Sequence, residues 1–151
     1  MTVYNLSAAG LVKASQDAIN NGTLKIAKFV FDAGVAANRT VAAHGTGVIL
    51  PAGAIVVGGF FSVVTKFTSA ESNTGTIAIS VEGANDIQTA AAVSGAPYSS
   101  TGGKAIVPKI NTPESTSITL TKDREITCTV AVAALTAGKL TGVLIYIAPD
   151  A

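Results

Sequence analysis

The chain has 151 residues, enough for one domain, and its 10 lysines and arginines nearly balance 9 aspartates and glutamates, so the net charge is +1. This balance gives no long-range field for nucleic acid or an anionic membrane surface, and neither is expected as a partner. Charged residues make up 13% of the chain, about half of the usual ~25% share, which suits a surface buried against other subunits. A neutral monomeric β-domain is the alternative that this composition leaves open.

Cysteine usage and the start of the chain narrow the class further. Cys128 is the only cysteine, so no disulfide can form within the chain and the disulfide-stapled secreted class is excluded. Residues 1–5 have neither the basic nor the apolar region of a signal peptide, so we expect synthesis in a cytoplasm. The apolar runs end well short of the ~18 residues that a transmembrane helix requires, so no span is predicted.

The N-terminal segment is weakly patterned. Between Ser7 and Asn21 the apolar residues have a loosely helical spacing that stops at the turn signal Asn20-Asn21-Gly22. One short helix and an extended arm fit this spacing equally well. The sequence therefore predicts an N-terminal arm or helix at residues 1–22, followed by a β-domain at residues 23–151.

The first strands are predicted at residues 25–32, 47–50 and 55–67, which are rich in strand-forming side chains. Pro51-Ala52-Gly53-Ala54 predicts a hairpin between the last two. Gly58-Gly59 in mid-strand predicts a bulge, or a bend that carries the strand into another sheet. Alternation along the long strand assigns one set of residues to the core: Ile55, Val57, Gly59, Phe61, Val63, Thr65 and Phe67.

Two further strands alternate regularly. Residues 76–82 place Ile77, Ile79 and Val81 inward, and residues 125–132 place Cys128 on the inner face. The short turn Thr136-Ala-Gly-Lys139 joins the second of these strands to residues 140–147, and a loop this short predicts a C-terminal antiparallel hairpin.

Residues 83–103 contain few large apolar side chains and read as a long loop with one helical turn at residues 86–91. Residues 104–110 and 117–121 are short strand candidates on either side of Pro113. Several short strands with Gly- or Pro-bearing turns and no alternating long helices predict an all-β fold. We expect an antiparallel β-sandwich of jelly-roll type with a short N-terminal arm or helix.

Clusters of catalytic or metal-binding residue types are not visible in the sequence. His44 is the single histidine and lies far in sequence from Cys128, which has the position of a small core hydrophobe. Gly45-Thr46-Gly47 and Gly102-Gly103-Lys104 lack the spacing of a phosphate-binding loop. We predict no catalytic, cofactor-binding or metal-binding residue, no small-molecule substrate and no enzymatic activity.

Candidate contact residues come from three places. Tyr98, beside Pro97 in the long loop, suits packing on a partner better than stacking on a sugar. Lys122 and Arg124 belong to a run of alternating charges that is either a solvated turn or an intersubunit contact. With the apolar residues of the N-terminal segment, the predicted capsid or subunit contacts are Val3, Tyr4, Leu6, Leu11, Val12, Tyr98, Lys122 and Arg124.

Residues 48–56 (VILPAGAIV), 63–82, 124–132 (REITCTVAV) and 137–140 (AGKL) resemble capsid decoration, or cement, proteins of tailed phages in their arrangement of strands and turns. The resemblance implies a β-sandwich that oligomerises, commonly as a trimer, and clamps the outside of an icosahedral head at contacts between major capsid subunits. It implies no catalytic residue. A head or tail fibre domain that binds host-surface glycans is the alternative, for which Tyr98 and Asp86 are the available side chains.

Overall fold

The structure of the protein is a computed structural model that describes residues 24–105 and 117–148. The strands are β1 (Leu24–Asp32), β2 (Ala43–Leu50), β3 (Ile55–Ser69), β4 (Thr76–Ser80), β5 (Gln88–Ala92), β6 (Gly102–Ala105), β7 (Arg124–Ala131) and β8 (Leu135–Ile147). Two helical turns accompany them. They are a 3₁₀ helix at Ala36–Arg39 and a four-residue turn, α1, at Ala70–Asn73, in which Glu71 and Ser72 have left-handed φ values of 53° and 56°.

The strands form two four-stranded antiparallel sheets that pack face to face. The first sheet has the order β1-β8-β3-β6 and the second sheet the order β2-β7-β4-β5. The pairing is nested, because β1 pairs with β8, β2 with β7, β3 with β6 and β4 with β5. The prediction of an all-β antiparallel sandwich is confirmed. Its narrower jelly-roll type, which also places eight strands in two sheets, stays a prediction.

The core lies between the sheets and follows from the alternation of the strands. The second sheet contributes Ile77, Ile79 and Cys128, each 0% exposed, as predicted. The first sheet contributes phenylalanines, of which Phe31 and Phe67 stack with ring centroids 6.2 Å apart. Full burial of one such side chain stabilises the fold by about 1.5–3 kcal/mol.

The predicted core face of β3 is correct at Gly59, Phe61, Val63 and Phe67. It is wrong at Ile55, Val57 and Thr65, of which Val57 and Thr65 are exposed. Val56 is buried and Val57 is exposed, the reverse of the expectation. The reason is the bulge that Gly58-Gly59 predicts: the pairing with β8 shifts register between Val56 and Gly58, and one extra residue moves the alternation to the other face. The strand does not pass into the second sheet, which corrects the other reading of the glycines.

Both predicted hairpins are wrong. β2 and β3 lie in different sheets, and so do β7 and β8, so each short connection crosses from one sheet to the other. The predicted second turn, at residues 136–139, lies inside β8, and the connection is residues 132–134. Turn residues signal that the chain reverses direction, and this reversal is common to a hairpin and to a crossing between sheets. The second crossing contains Val132 at φ 68°, a conformation that a β-branched residue seldom adopts. Among the described strands, β4 and β5 alone are consecutive and paired.

The predicted long loop at residues 83–103 is only partly a loop. It contains β5, which pairs with β4, and the start of β6, which pairs with β3. The expected helical turn is not there, because pairing with β4 overrides the weak strand preference of the Ala-rich residues 88–92. The Asp86 carboxylate holds the turn between β4 and β5 by accepting the N–H groups of Val81, Glu82 and Gly83 at 2.8, 3.0 and 2.8 Å.

Candidate protein-binding surface

The outer surface of the first sheet is apolar. Because Ala27, Phe29 and Phe31 of β1 point into the core, the alternate residues Ile26 and Val30 point outward. The same alternation on β8 and β3 adds outward side chains to form what we call the apolar face, which comprises Leu24, Ile26, Val30, Ile55, Val57, Phe60, Val143, Ile145 and Ile147. Five of these residues are exposed, namely Leu24, Ile26, Val30, Val57 and Phe60. The other four, Ile55 and the β8 residues Val143, Ile145 and Ile147, are half-buried.

Strand register makes this face continuous. Ile145 of β8 lies between Ile26 of β1 and Gly58 of β3, and Val143 lies between Lys28 and Phe60. Three strands at ~4.8 Å spacing and four outward rows at ~6.8 Å give a flat area of about 400 Å², in which Lys28, Ser62 and Thr141 are the side chains that are not apolar. A contiguous apolar patch of this size on a monomer is often a binding site.

The apolar face has almost no charge. Lys28 is the one charged residue in its four rows. In the next row along the strands, Lys139 Nζ forms an ion pair with Asp32 Oδ2 at 3.0 Å. A hydrogen bond from the Gly34 N–H and then the contact with Lys139 lower the pKa of Asp32. The centre of the face therefore offers apolar contact, and the polar groups lie at its rim, as in protein–protein interfaces.

A protrusion and a hollow lie side by side on this face. Phe60 is 51% exposed, and a Cβ added at Gly58, two residues earlier on β3, would meet nothing within 4 Å. Gly59 between them points inward, where a Cβ would collide with the Val143 carbonyl oxygen. Only the outward glycine leaves open space, and it leaves that space next to the largest exposed side chain of the face.

The second sheet carries a polar groove of about 500 Å³ at one end of its outer surface. It is lined by small and polar side chains from β4, β7 and the loop after β4, including Ser80, Asn85 and Thr127. At the same end Arg124 donates to both oxygens of Glu82, at 2.8 and 3.2 Å, and the Thr121 hydroxyl donates to Glu82 Oε1 at 2.6 Å. The bonds from Arg124 and then Thr121 lower the pKa of Glu82 to about 2.

The predicted contact residues do not gather at one place. Lys122 is exposed and adjoins Arg124, whose guanidinium is occupied by Glu82. Tyr98 is a core residue, 0% exposed, with its ring 5.8 Å from that of Phe61, which corrects its assignment to a contact surface. Burial raises the pKa of its hydroxyl. The remaining candidates, Val3, Tyr4, Leu6, Leu11 and Val12, lie outside the described residues.

Sequence reasoning missed the apolar face, although a signal for it was present. A strand with one solvated side alternates apolar and polar residues, whereas β1 and the end of β8 are apolar at consecutive positions, as in FVF (residues 29–31) and VLIYI (residues 143–147). Such runs indicate a strand covered on both faces. Here the inner side of each strand packs in the core, and the outer side makes the apolar face.

The candidates for chemistry are held in structural contacts. His44 Nε2 lies 2.8 Å from the Thr40 carbonyl oxygen, and its ring is 5.9 Å from that of Phe31. Burial raises the pKa of the Cys128 thiol to about 12, which keeps it protonated and unreactive near neutral pH. In the part of the chain that the structure describes, no three His, Cys, Asp or Glu side chains group as metal ligands, and no helix is long and apolar enough to cross a membrane.

The fold is similar to that of chains in three bacteriophage capsid structures. The matched chain in the acidic stable capsid of Helicobacter pylori bacteriophage KHP30 is 18% identical, with a TM-score of 0.56 over 84% of this chain and 89% of that chain. The matched chain in the capsid asymmetric unit of cyanophage Pam1 is 18% identical, with a TM-score of 0.57 over 83% of this chain and 85% of that chain. The matched chain in the capsid of Ralstonia phage GP4 is 14% identical, with a TM-score of 0.53 over 85% of this chain and 86% of that chain. No protein-family model and no curated protein matches the chain.

Proposed function

We propose that this chain is a structural protein of a phage virion, and that it acts as a capsid decoration, or cement, protein on the outer surface of the head. The observation that carries the proposal is a fold shared, over more than four fifths of the chain, with chains of three phage capsids. Each match covers similar shares of both chains, so the matched chains are about as long as this one. A small accessory component of the shell fits that length.

The apolar face supports binding as the activity. Covering the face gives at most roughly 10 kcal/mol, the value if all of its ~400 Å² were apolar at ~25 cal/mol per Å², and Lys28, Ser62 and Thr141 within its rows lower this figure. The lost translational and rotational freedom of two associating molecules costs about 4–15 kcal/mol, which is similar to this gain, so one such contact binds weakly. Weak contacts between copies of the chain give an oligomer, and an oligomer binds a shell effectively because it engages several equivalent sites at once. We therefore propose self-association, with a trimer as the expected form, and the major capsid protein as the partner.

The N-terminal segment supplies the second part of the proposal. Residues 1–22 act as an attachment arm whose apolar residues, Val3, Tyr4, Leu6, Leu11 and Val12, contact the capsid or a neighbouring subunit. An arm that becomes ordered on the head gains contact area, although it loses conformational entropy when it binds. Lys122, which is exposed at the end of the second sheet, is a further candidate contact at the rim.

The test is to locate the chain in an assembled particle. Phage particles released from cells that produce the chain are analysed by mass spectrometry and imaged by cryo-electron microscopy. We expect the sandwich on the outside of the shell, over contacts between major capsid subunits. Heads assembled without the chain should disrupt at lower temperature than heads that carry it, and should regain stability when purified protein is added. Absence of the chain from the particles would contradict the proposal.

A glycan-binding fibre domain is the second candidate, and the polar groove favours it. Ser80, Asn85 and Thr127 give this groove hydroxyl and amide groups that suit a sugar. None of the described residues that line the groove is aromatic, however, so they offer no stacking platform for a sugar ring. A glycan array distinguishes the two candidates: saturable binding that Asn85→Ala abolishes would favour the fibre domain, and no binding would favour decoration.

A further inference from the structure

We propose that the apolar face is an interface between two copies of this chain, in which Phe60 of each copy enters the hollow at Gly58 of the other. Gly58 and Phe60 pair in continuous register with Ile145 and Val143 of β8, so both positions point outward, about 7 Å apart along β3. One patch thus contains a protruding ring and an open space next to it. A twofold axis between them brings each ring over the partner's glycine, so the contact closes on itself.

Charge favours a second copy over a different partner. Lys28 is the one charged residue in the four rows of the face, and no carboxylate lies among them. A partner recognised through charge would need complementary groups, which this surface does not present. The cores of contacts between identical subunits are poor in charge and rich in apolar side chains. Lys28 lies on the edge strand β1, where its long side chain can reach the solvent around the contact.

The area sets the expected strength. Two flat faces of about 400 Å² each bury roughly 800 Å² in total, which is less than the ~1,200 Å² of stable specific complexes and is typical of weak, transient contacts. We therefore expect reversible association that depends on protein concentration. This contact does not require the virion assignment: a protein that pairs in solution but is absent from particles contradicts the proposed function alone. If the chain also forms trimers, the paired faces join one trimer to another.

Glycine positions provide variants that separate folding from association. A Val side chain at Gly58 has open space and suits a strand, so Gly58→Val should fold while it fills the hollow. Gly103 of β6 also has nothing within 4 Å of an added Cβ but lies at the far edge of the first sheet, so Gly103→Val is the matched control. Ile26→Ala and Ile49→Ala form a second matched pair, because both residues are 63% exposed and only Ile26 belongs to the apolar face.

Sedimentation velocity of the full chain across micromolar concentrations measures the association. We expect Phe60→Ala and Gly58→Val each to raise the dissociation constant at least tenfold, Ile26→Ala to weaken it by a smaller factor, and the two control variants to stay within twofold of the unchanged protein. Equal melting temperatures of Gly58→Val and Gly103→Val exclude unfolding as the cause. A protein that stays monomeric, or an association that Phe60→Ala and Gly58→Val leave unchanged, would overturn the proposal.

Disulfide trapping tests the pairing of residues directly. Cys128 is fully buried, so an introduced thiol is the only reactive one in the native protein. When Phe60→Cys chains are mixed with Gly58→Cys chains under a mild oxidant, the mixed disulfide should form faster than either homodisulfide. No mixed disulfide overturns the proposal. So does a monomer in which the Phe60→Cys thiol resists a labelling reagent, because a part of the chain itself would then cover the face.

Discussion

The two outer surfaces of the sandwich differ, although the two inner surfaces are alike. Both sheets fill the core with large apolar side chains, from Phe29 and Phe61 on one side to Ile79 and Ile126 on the other. Outward, the first sheet carries the apolar face, whereas β4 and β7 of the second sheet carry Ala, Ser and Thr. The side chains that point inward specify the fold, and the side chains that point outward are free to specify what the protein binds. The sheet that is apolar on both sides is therefore the candidate for binding.

Ile79→Asp tests the inner surface and should have the largest effect. Ile79 is fully buried on β4, and a carboxylate there would have no partner, at a cost of several kcal/mol. We expect loss of the cooperative thermal transition measured by circular dichroism. Ile26→Asp, on the outer surface of the first sheet, should keep the transition and lose self-association. A cooperatively melting Ile79→Asp protein would mean that the inner and outer sides are reversed.

Gly142→Ala should destabilise the fold by about 1–3 kcal/mol, because overpacking a well-filled core has that effect. A Cβ at Gly142, on the inner side of β8, would enter the ring of Phe29. Gly58→Ala, on the outer side, should be neutral or stabilising by about 0.5 kcal/mol, since it removes a flexible residue from a strand without a clash. Urea unfolding of both variants gives the two free energies. Equal effects of the two substitutions would remove the distinction between the sides.

Tyr98→Phe should stabilise the protein by about 1 kcal/mol. The Tyr98 hydroxyl is buried and has no hydrogen-bond partner among the described residues, and an unpaired buried polar group is destabilising. The ring itself should keep its contacts with Phe61 and Phe67. The unfolding midpoint in urea should rise while association stays unchanged. Weaker association with an unchanged midpoint would restore Tyr98 as a contact residue.

Alternation predicted the inner residues of β4 and β7, because each strand has one side in the core and the two strands pair with each other without a register shift. Alternation assigned Val56 and Val57 to the wrong sides, because the bulge adds one residue to the strand and shifts the alternation before it. The hairpins were wrong because reversal signals do not say which sheet the next strand joins. Tyr98 was misplaced because it lies in a turn beside Pro97, where no period assigns a side chain to the core. Of the binding surface, the sequence showed apolar strands, and only the register placed their outer residues side by side.

Glu82→Gln should have the smallest effect, because its ion pair with Arg124 is partly exposed and solvent screens it. The pKa of Glu82 is lowered from 4.5 to about 2, so the folded state holds this proton less readily than the unfolded state. The ion pair therefore stabilises the fold above pH 4.5, and that contribution disappears as the pH falls from 4.5 towards 2. The unfolding midpoint in urea should fall less steeply over this window in Glu82→Gln than in the unchanged protein. Glu71→Gln, which removes a carboxylate that has no ion pair among the described residues, should leave the slope as it is. An unchanged slope in Glu82→Gln would show that the polar end of the second sheet adds nothing to stability, and would leave its charged residues available for contacts with a partner.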